Sequence, residues 1–411
     1  MSSVGAGGGE RSRAAVVTAL GVAQILSWGS SFYLLGVLAA PIVADTGWSK
    51  AVVVGGFTAA LVTAGLASPR VGNAIQATGG RPVLMAASLL LAAGLAGLSF
   101  AQSLAQYYLA WIILGLGMGA GLYDAAFATL GRLYGSSARQ AITTLTLFGG
   151  FASTVGWSTS AFLVETLGWR GACLAYAGMH LVVTLPLVAI MLPRAPADAG
   201  EGPRLTLADL LRGRGNTGGA VPREYRLLFL LVAAGMTSAI VAFAVISMHL
   251  LTILQARGFT LAAAVALGAL VGPSQVGARL VETFFGLRFH PLWTAAFSAA
   301  LTLSGVAMLA AGAPIVSLAL VLYGAGLGIH SIVRGSLPLA LFGPGRYAVL
   351  MGKLALPILL AGALAPLVGA WVIDTAGPDA LLAGLVAICL LYAAILAAVA
   401  LEARRRGPPE A

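Results

Sequence analysis

Charge is what this sequence has least of. Only 9% of its 411 residues are Asp, Glu, Lys or Arg, against 59% hydrophobic. An ordinary soluble domain carries roughly 25% charged residues, so most of this surface is not built to face water. Cysteine is almost missing too. Cys173 and Cys389 lie inside separate apolar runs, which excludes a disulfide framework and a thiolate metal centre. The four histidines, His180, His249, His290 and His330, show no metal-ligand spacing, and no nucleotide-binding or membrane-protease motif occurs. The expectation is a protein with no metal, cofactor or enzymatic chemistry. The first thirteen residues have neither an apolar core nor a cleavage site and read as a flexible tail, not a signal peptide.

What is abundant is apolar length. A helix needs about 20 apolar residues to cross a bilayer, and such runs recur at about 14–42, 48–69, 82–101, 106–131, 138–164, 170–192, 226–254, 260–281, 291–311, 315–336, 347–374 and 378–401. The predicted fold class is therefore an all-α membrane protein of twelve transmembrane helices, with the lipid bilayer as its solvent. Its parts are a flexible cytoplasmic tail (1–13), a six-helix bundle (14–193), a cytoplasmic linker (194–225), a second six-helix bundle (226–402) and a tail (403–411). Within the linker, 205–211 reads either as a short amphipathic surface helix or as disorder. The 54 glycines suit helices that pack closely in lipid.

The formal charge of +10 would suit a nucleic-acid partner if it formed a patch, but it is divided by topology. Eighteen arginines, from Arg11 to Arg406, fall on one side of the alternating crossings, and only Lys50, Arg170 and Arg257 on the other. That asymmetry places both termini in the cytoplasm and leaves no role for nucleic acid. The 21 arginines against 2 lysines suit a GC-rich bacterial genome, hence a bacterial inner membrane.

The two halves repeat. The fourth crossing carries Gly115, Gly117 and Gly119 before Asp124, and the tenth carries Gly324, Gly326 and Gly328 before Arg334. The fifth runs from Arg139 and Ala141 to Thr166 and Gly168, and the eleventh from Arg346 and Ala348 to Thr375 and Gly377. A duplicated six-helix unit explains both matches.

Together these features resemble the major facilitator superfamily over nearly the whole chain. The most specific match lies between the second and third crossings, where Gly72, Gly79 and Arg81 fit the family's loop motif and Gln76 replaces its usual acid. The second half retains Gly277, Arg279 and the acid Glu282. The resemblance implies two pseudo-symmetric bundles and a central cavity lined by crossings 1, 4, 7 and 10. It departs at Trp111, where the family often has an arginine that couples protons. A narrower similarity, to the monocarboxylate and oxalate-formate branch, rests on Gly47, Trp48, Ser49, Pro69 and a lysine in the eleventh crossing, Lys353. That branch implies a lysine that neutralises a substrate carboxylate.

Ionisable groups inside the membrane are functional candidates because burying a charge there is costly. Asp124, Arg334 and Lys353 are the candidates singled out, all in the cytoplasmic half of their crossings. Either a cation meets an anionic solute while Asp124 pairs with the other, or the three form a gate or structural ion pair. Gln24, Trp28 and Ser31 share a face of the first crossing and offer hydrogen bonds beside an indole. His330, one turn before Arg334, is a candidate for proton coupling. The sequence reads as a monomeric secondary transporter of a small solute, an organic anion such as a monocarboxylate, moved by alternating access with protons as a candidate coupling ion. The alternatives are efflux of drugs or amphipathic cations, and a transporter-like sensor.

Overall fold

The computed structural model describes residues 12–194 and 221–406. The surface helix considered at 205–211 lies outside them. The described residues are helical from end to end, with turns between and no strand. They form α1 (Arg13–Gly29), α2 (Leu35–Thr46), α3 (Lys50–Thr78), α4 (Gly80–Phe100), α5 (Leu104–Gly121), α6 (Tyr123–Tyr134), α7 (Ala138–Gly150), α8 (Ala152–Met179) and α9 (Leu185–Met191) in the first half. The second half holds α10 (Arg226–Ala256), α11 (Leu261–Gly268), α12 (Val271–Phe285), α13 (Pro291–Ala310), α14 (Val316–Phe342) and α15 (Tyr347–Arg406). Among the described residues, eight helical stretches are long and apolar enough to cross a membrane by length and composition.

Several helices start where the sequence offers a cap. Ser12, Ser49, Ser103 and Thr260 each accept a hydrogen bond from the backbone N–H three residues on, satisfying a donor the helix leaves free. Single glycines turn the chain between crossings. Gly168 and Gly377, partners in the sequence repeat, both take positive φ, at 69° and 86°, a conformation that costs glycine nothing.

The crossings expected as single rods are interrupted. The first breaks at Ser30–Leu34, the fourth at Leu122, the fifth at Phe151 and the eighth at Ala269 and Leu270. The expected loop between the second and third crossings is mostly helix, with α3 running to Thr78 and only Gly79 separating it from α4. Gly72 therefore serves a helix crossing, not a turn. A Cβ there would meet the Cα of Gly352 at 3.0 Å, so α3 and α15 touch backbone to backbone. The tenth crossing, expected to end near 336, continues to Phe342.

The glycine repeat packs as a repeat. Gly115 and Gly119 press α5 on the backbone of Ala60 and Ala64 in α3, while Gly117 and Gly121 face Leu91 and Ala87 in α4. In the second half Gly324 and Gly328 meet Val271 and Gln275 in α12, and Gly326 meets Ser298 and Thr302 in α13. Each glycine face sets the distance at which dispersion holds two helices together, the force available when lipid is as apolar as the side chains.

Candidate functional site

Asp124 and Arg334 meet across the two halves. Asp124 follows the break at Leu122 that starts α6, and Arg334 lies eight residues from the end of α14. Arg334 Nε donates to Oδ1 at 2.8 Å and Nη2 to Oδ2 at 2.5 Å. The pair is bidentate, and both side chains are mostly shielded, at 14% and 13% exposure. Planar two-point contact is the geometry in which guanidinium and carboxylate bind most strongly.

More contacts between the halves cluster near that end. Arg139, at the start of α7, approaches Glu282 at 3.8 Å and donates to the carbonyls of Phe289 and Gly286 at 2.6 and 2.8 Å. Gln76, which replaces the family's acid, still crosses by donating to the Gly345 carbonyl at 3.1 Å, and Arg132 donates to the Gln76 carbonyl. Arg13 lies over the Tyr134 ring and Arg406 over the Tyr225 ring, so both ends of the described chain are at this same face. The bonds from Gln76, Arg139 and Arg334 and the approach of Arg139 to Glu282 thus join the halves toward this face.

Arg279 is the residue that sequence reasoning misplaced. Counted there among loop arginines, it sits inside α12 and is buried, with 6% exposure. Its acceptors are all neutral: Nε donates to the Gly328 carbonyl at 3.2 Å, Nη1 to the Thr146 carbonyl at 3.1 Å and Nη2 to Gln275 Oε1 at 3.4 Å. Among the described residues no carboxylate lies within 4.0 Å of it. Tyr123 of the first half donates to the same Thr146 carbonyl through its hydroxyl at 3.5 Å, which brings its ring beside the guanidinium. Gly150 makes room for it, since a Cβ there would lie 2.7 Å from Nη1. Gly277 and Glu282 are likewise helical, and Glu282 accepts from Thr294 at 2.9 Å.

Facing Arg279 is an aromatic wall from the first half. Trp28 packs on Phe32 and Tyr123, each at 5.0 Å between ring centres, Tyr123 stacks on Phe127, and Tyr33 meets Trp157. The polar face of α1 orders this wall. Gln24 donates to the Gly121 carbonyl at 2.7 Å, which the break at Leu122 leaves open, and accepts from Trp28 Nε1 at 3.0 Å. Ser31 falls in the turn after α1 and donates to the Ser27 carbonyl at 2.5 Å.

His330 does not face the ion pair. It is buried in the second half against Phe243, with Tyr392 Oη 3.3 Å from Nδ1. The spacing to Arg334 placed it one turn away but could not show which side it takes. Lys353 is half-buried on α15, next to Gly352 at the crossing with α3. Arg81 lies half-buried in the first turn of α4. Trp111 packs on Phe57 and Tyr107.

The sequence matches the Major Facilitator Superfamily over residues 20–352. The chain belongs to that superfamily. It is 37% identical over 172 residues to mouse monocarboxylate transporter 11 and 36% identical over 174 residues to the human protein of that name, covering 40% of this chain in each case. The match spans 36% and 34% of those relatives, about a third of their length. Among solved structures, the human organic anion transporter MFSD10 aligns with a TM-score of 0.71 at 21% identity, covering 94% of this chain and all of that one. The transporter FucP, in an outward conformation, aligns equally well, at 16% identity over 97% of this chain and all of that one. These likenesses show the fold. The chain is thus a multi-pass membrane transporter of this superfamily and not an enzyme.

Proposed function

We propose that this transporter moves a small organic anion, of the monocarboxylate class, by alternating access. The observation that carries this reading is Arg279, a buried cation satisfied by neutral acceptors and set opposite an aromatic wall. A buried charge is costly unless something compensates it, and a carboxylate with an apolar body supplies both the missing charge and a partner for the rings. Lys353 stands as a second cation for the solute. The names of the relatives, one a monocarboxylate and one an organic anion transporter, agree with this class. Efflux of amphipathic cations fits less well, because both carboxylate oxygens of Asp124 are engaged by Arg334.

In this reading the twelve crossings form bundles 14–193 and 226–402 in a bacterial inner membrane, with both termini cytoplasmic. The contacts from Arg139 to Asp124 then form the closed inner gate of an outward-facing state. Purified protein screened by thermal shift against carboxylates, sugars and amphipathic cations tests the substrate class, because a ligand that prefers the folded state raises Tm. Monocarboxylates should raise Tm in wild type and less in Lys353→Met. A rise only with cations or sugars contradicts the proposal, and an unchanged response in Lys353→Met removes that lysine from it.

A further inference from the structure

We propose that a groove on the outer face of the second half binds an anionic phospholipid of the surrounding membrane. The groove, about 960 Å³, runs between α13, the end of α14 and the last turns of α15. None of the residues that join the two halves, and none of the cavity residues, lines it. Its floor is apolar and open because the facing side chains are small: Ala296 and Ala300 on α13, Ala393 and Ala397 on α15. Its mouth is basic, lined by Arg404 and Arg406.

Charge at the mouth points to an anion. Glu402 accepts from Arg406 at 2.6 and 2.8 Å and so neutralises that arginine, which also lies 5.5 Å from the centre of the Tyr225 ring. Arg404 and its neighbour Arg405 are exposed, and no carboxylate among the described residues lies within 4.0 Å of either. The depth points to a lipid. From Ala393 to Arg404 a helix rises about 16 Å, roughly one leaflet of a 30 Å hydrocarbon core. Trp293, exposed at the start of α13, lines the mouth where interfacial tryptophans anchor. An apolar trough one leaflet deep under a cationic rim fits acyl chains below an anionic headgroup. A free phosphate would use only the rim, and a neutral lipid only the trough.

The test titrates the detergent-purified full chain with phosphatidylglycerol, phosphatidylcholine or glycerol phosphate, reading lipid retention by native mass spectrometry and Tm in parallel. Phosphatidylglycerol should be retained and should raise Tm, while the other two do neither. Arg404→Gln should weaken retention about fivefold, the effect of one basic residue at a membrane surface, and Arg404→Lys should restore it. Ala397→Phe, which fills the trough from an exposed position, should abolish retention. Equal retention of phosphatidylcholine, a matching Tm rise with glycerol phosphate, or wild-type retention in both Arg404→Gln and Ala397→Phe overturns the proposal.

Discussion

Asp124 gives both oxygens to Arg334, so neither residue can change without leaving the other charged and shielded from water. Breaking a buried ion pair from one side costs of order 3–5 kcal/mol, whereas exchanging the partners keeps the attraction. We therefore expect Asp124→Asn and Arg334→Gln each to lower Tm clearly, and Asp124→Arg combined with Arg334→Asp to recover much of the loss. If the double variant is no more stable than the singles, the contact is not an energetic pair. This pairing was legible in the sequence, because the glycine repeat brings the two residues to matching depths. Arg279 was legible as a residue of the gating-loop motif, but not as a buried cation. Ending the eighth crossing near 281 made it resemble a topological arginine, whereas α12 continues to Phe285 and holds it inside. Gln24 and Trp28 were recognised as one face, but their partner, the Gly121 carbonyl, depends on a break in another helix.

Among the elements, the interruptions carry signals that length alone hides. The breaks at Ser30, Leu122, Phe151 and Ala269 each directly follow a glycine: Gly29, Gly121, Gly150 and Gly268. Hydropathy runs smoothly through such points, so the sequence gives twelve apolar lengths more readily than their bends. Close helix crossings are equally hidden, since a glycine for contact and a glycine for a turn look alike in one sequence. Gly72 is the instructive case, read as a turn residue and found at the α3–α15 crossing. A leucine there has no space in the closed arrangement, and overpacking costs typically 1–3 kcal/mol. Gly72→Leu should therefore fold with a lowered Tm and open the terminus-bearing face, read as faster alkylation of a cysteine placed at Gln76. Wild-type Tm together with unchanged alkylation would show that α3 and α15 do not need this contact.

At the scale of the whole molecule, two halves with one packing plan are fastened at the face that carries both ends of the described chain. Alternating access requires that this fastening be reversible, and its parts suit that need. Apart from Asp124 and Arg334, it consists of single hydrogen bonds, a 3.8 Å ion pair and glycine contacts, none of which resists separation strongly. The superfamily was legible in the repeat and the loop glycines, while the substrate class was not, because it depends on a cation whose depth only the folded helix sets. That cation is also where the account is most exposed. The decisive measurement is uptake of a labelled monocarboxylate into proteoliposomes by wild type, Arg279→Lys and Arg279→Gln at equal reconstituted amounts. Removing a buried charge that holds the substrate costs about 2–5 kcal/mol, so Arg279→Gln should lose uptake at least about 30-fold, with Arg279→Lys in between. Saturable monocarboxylate uptake by Arg279→Gln at the wild-type rate would contradict the account.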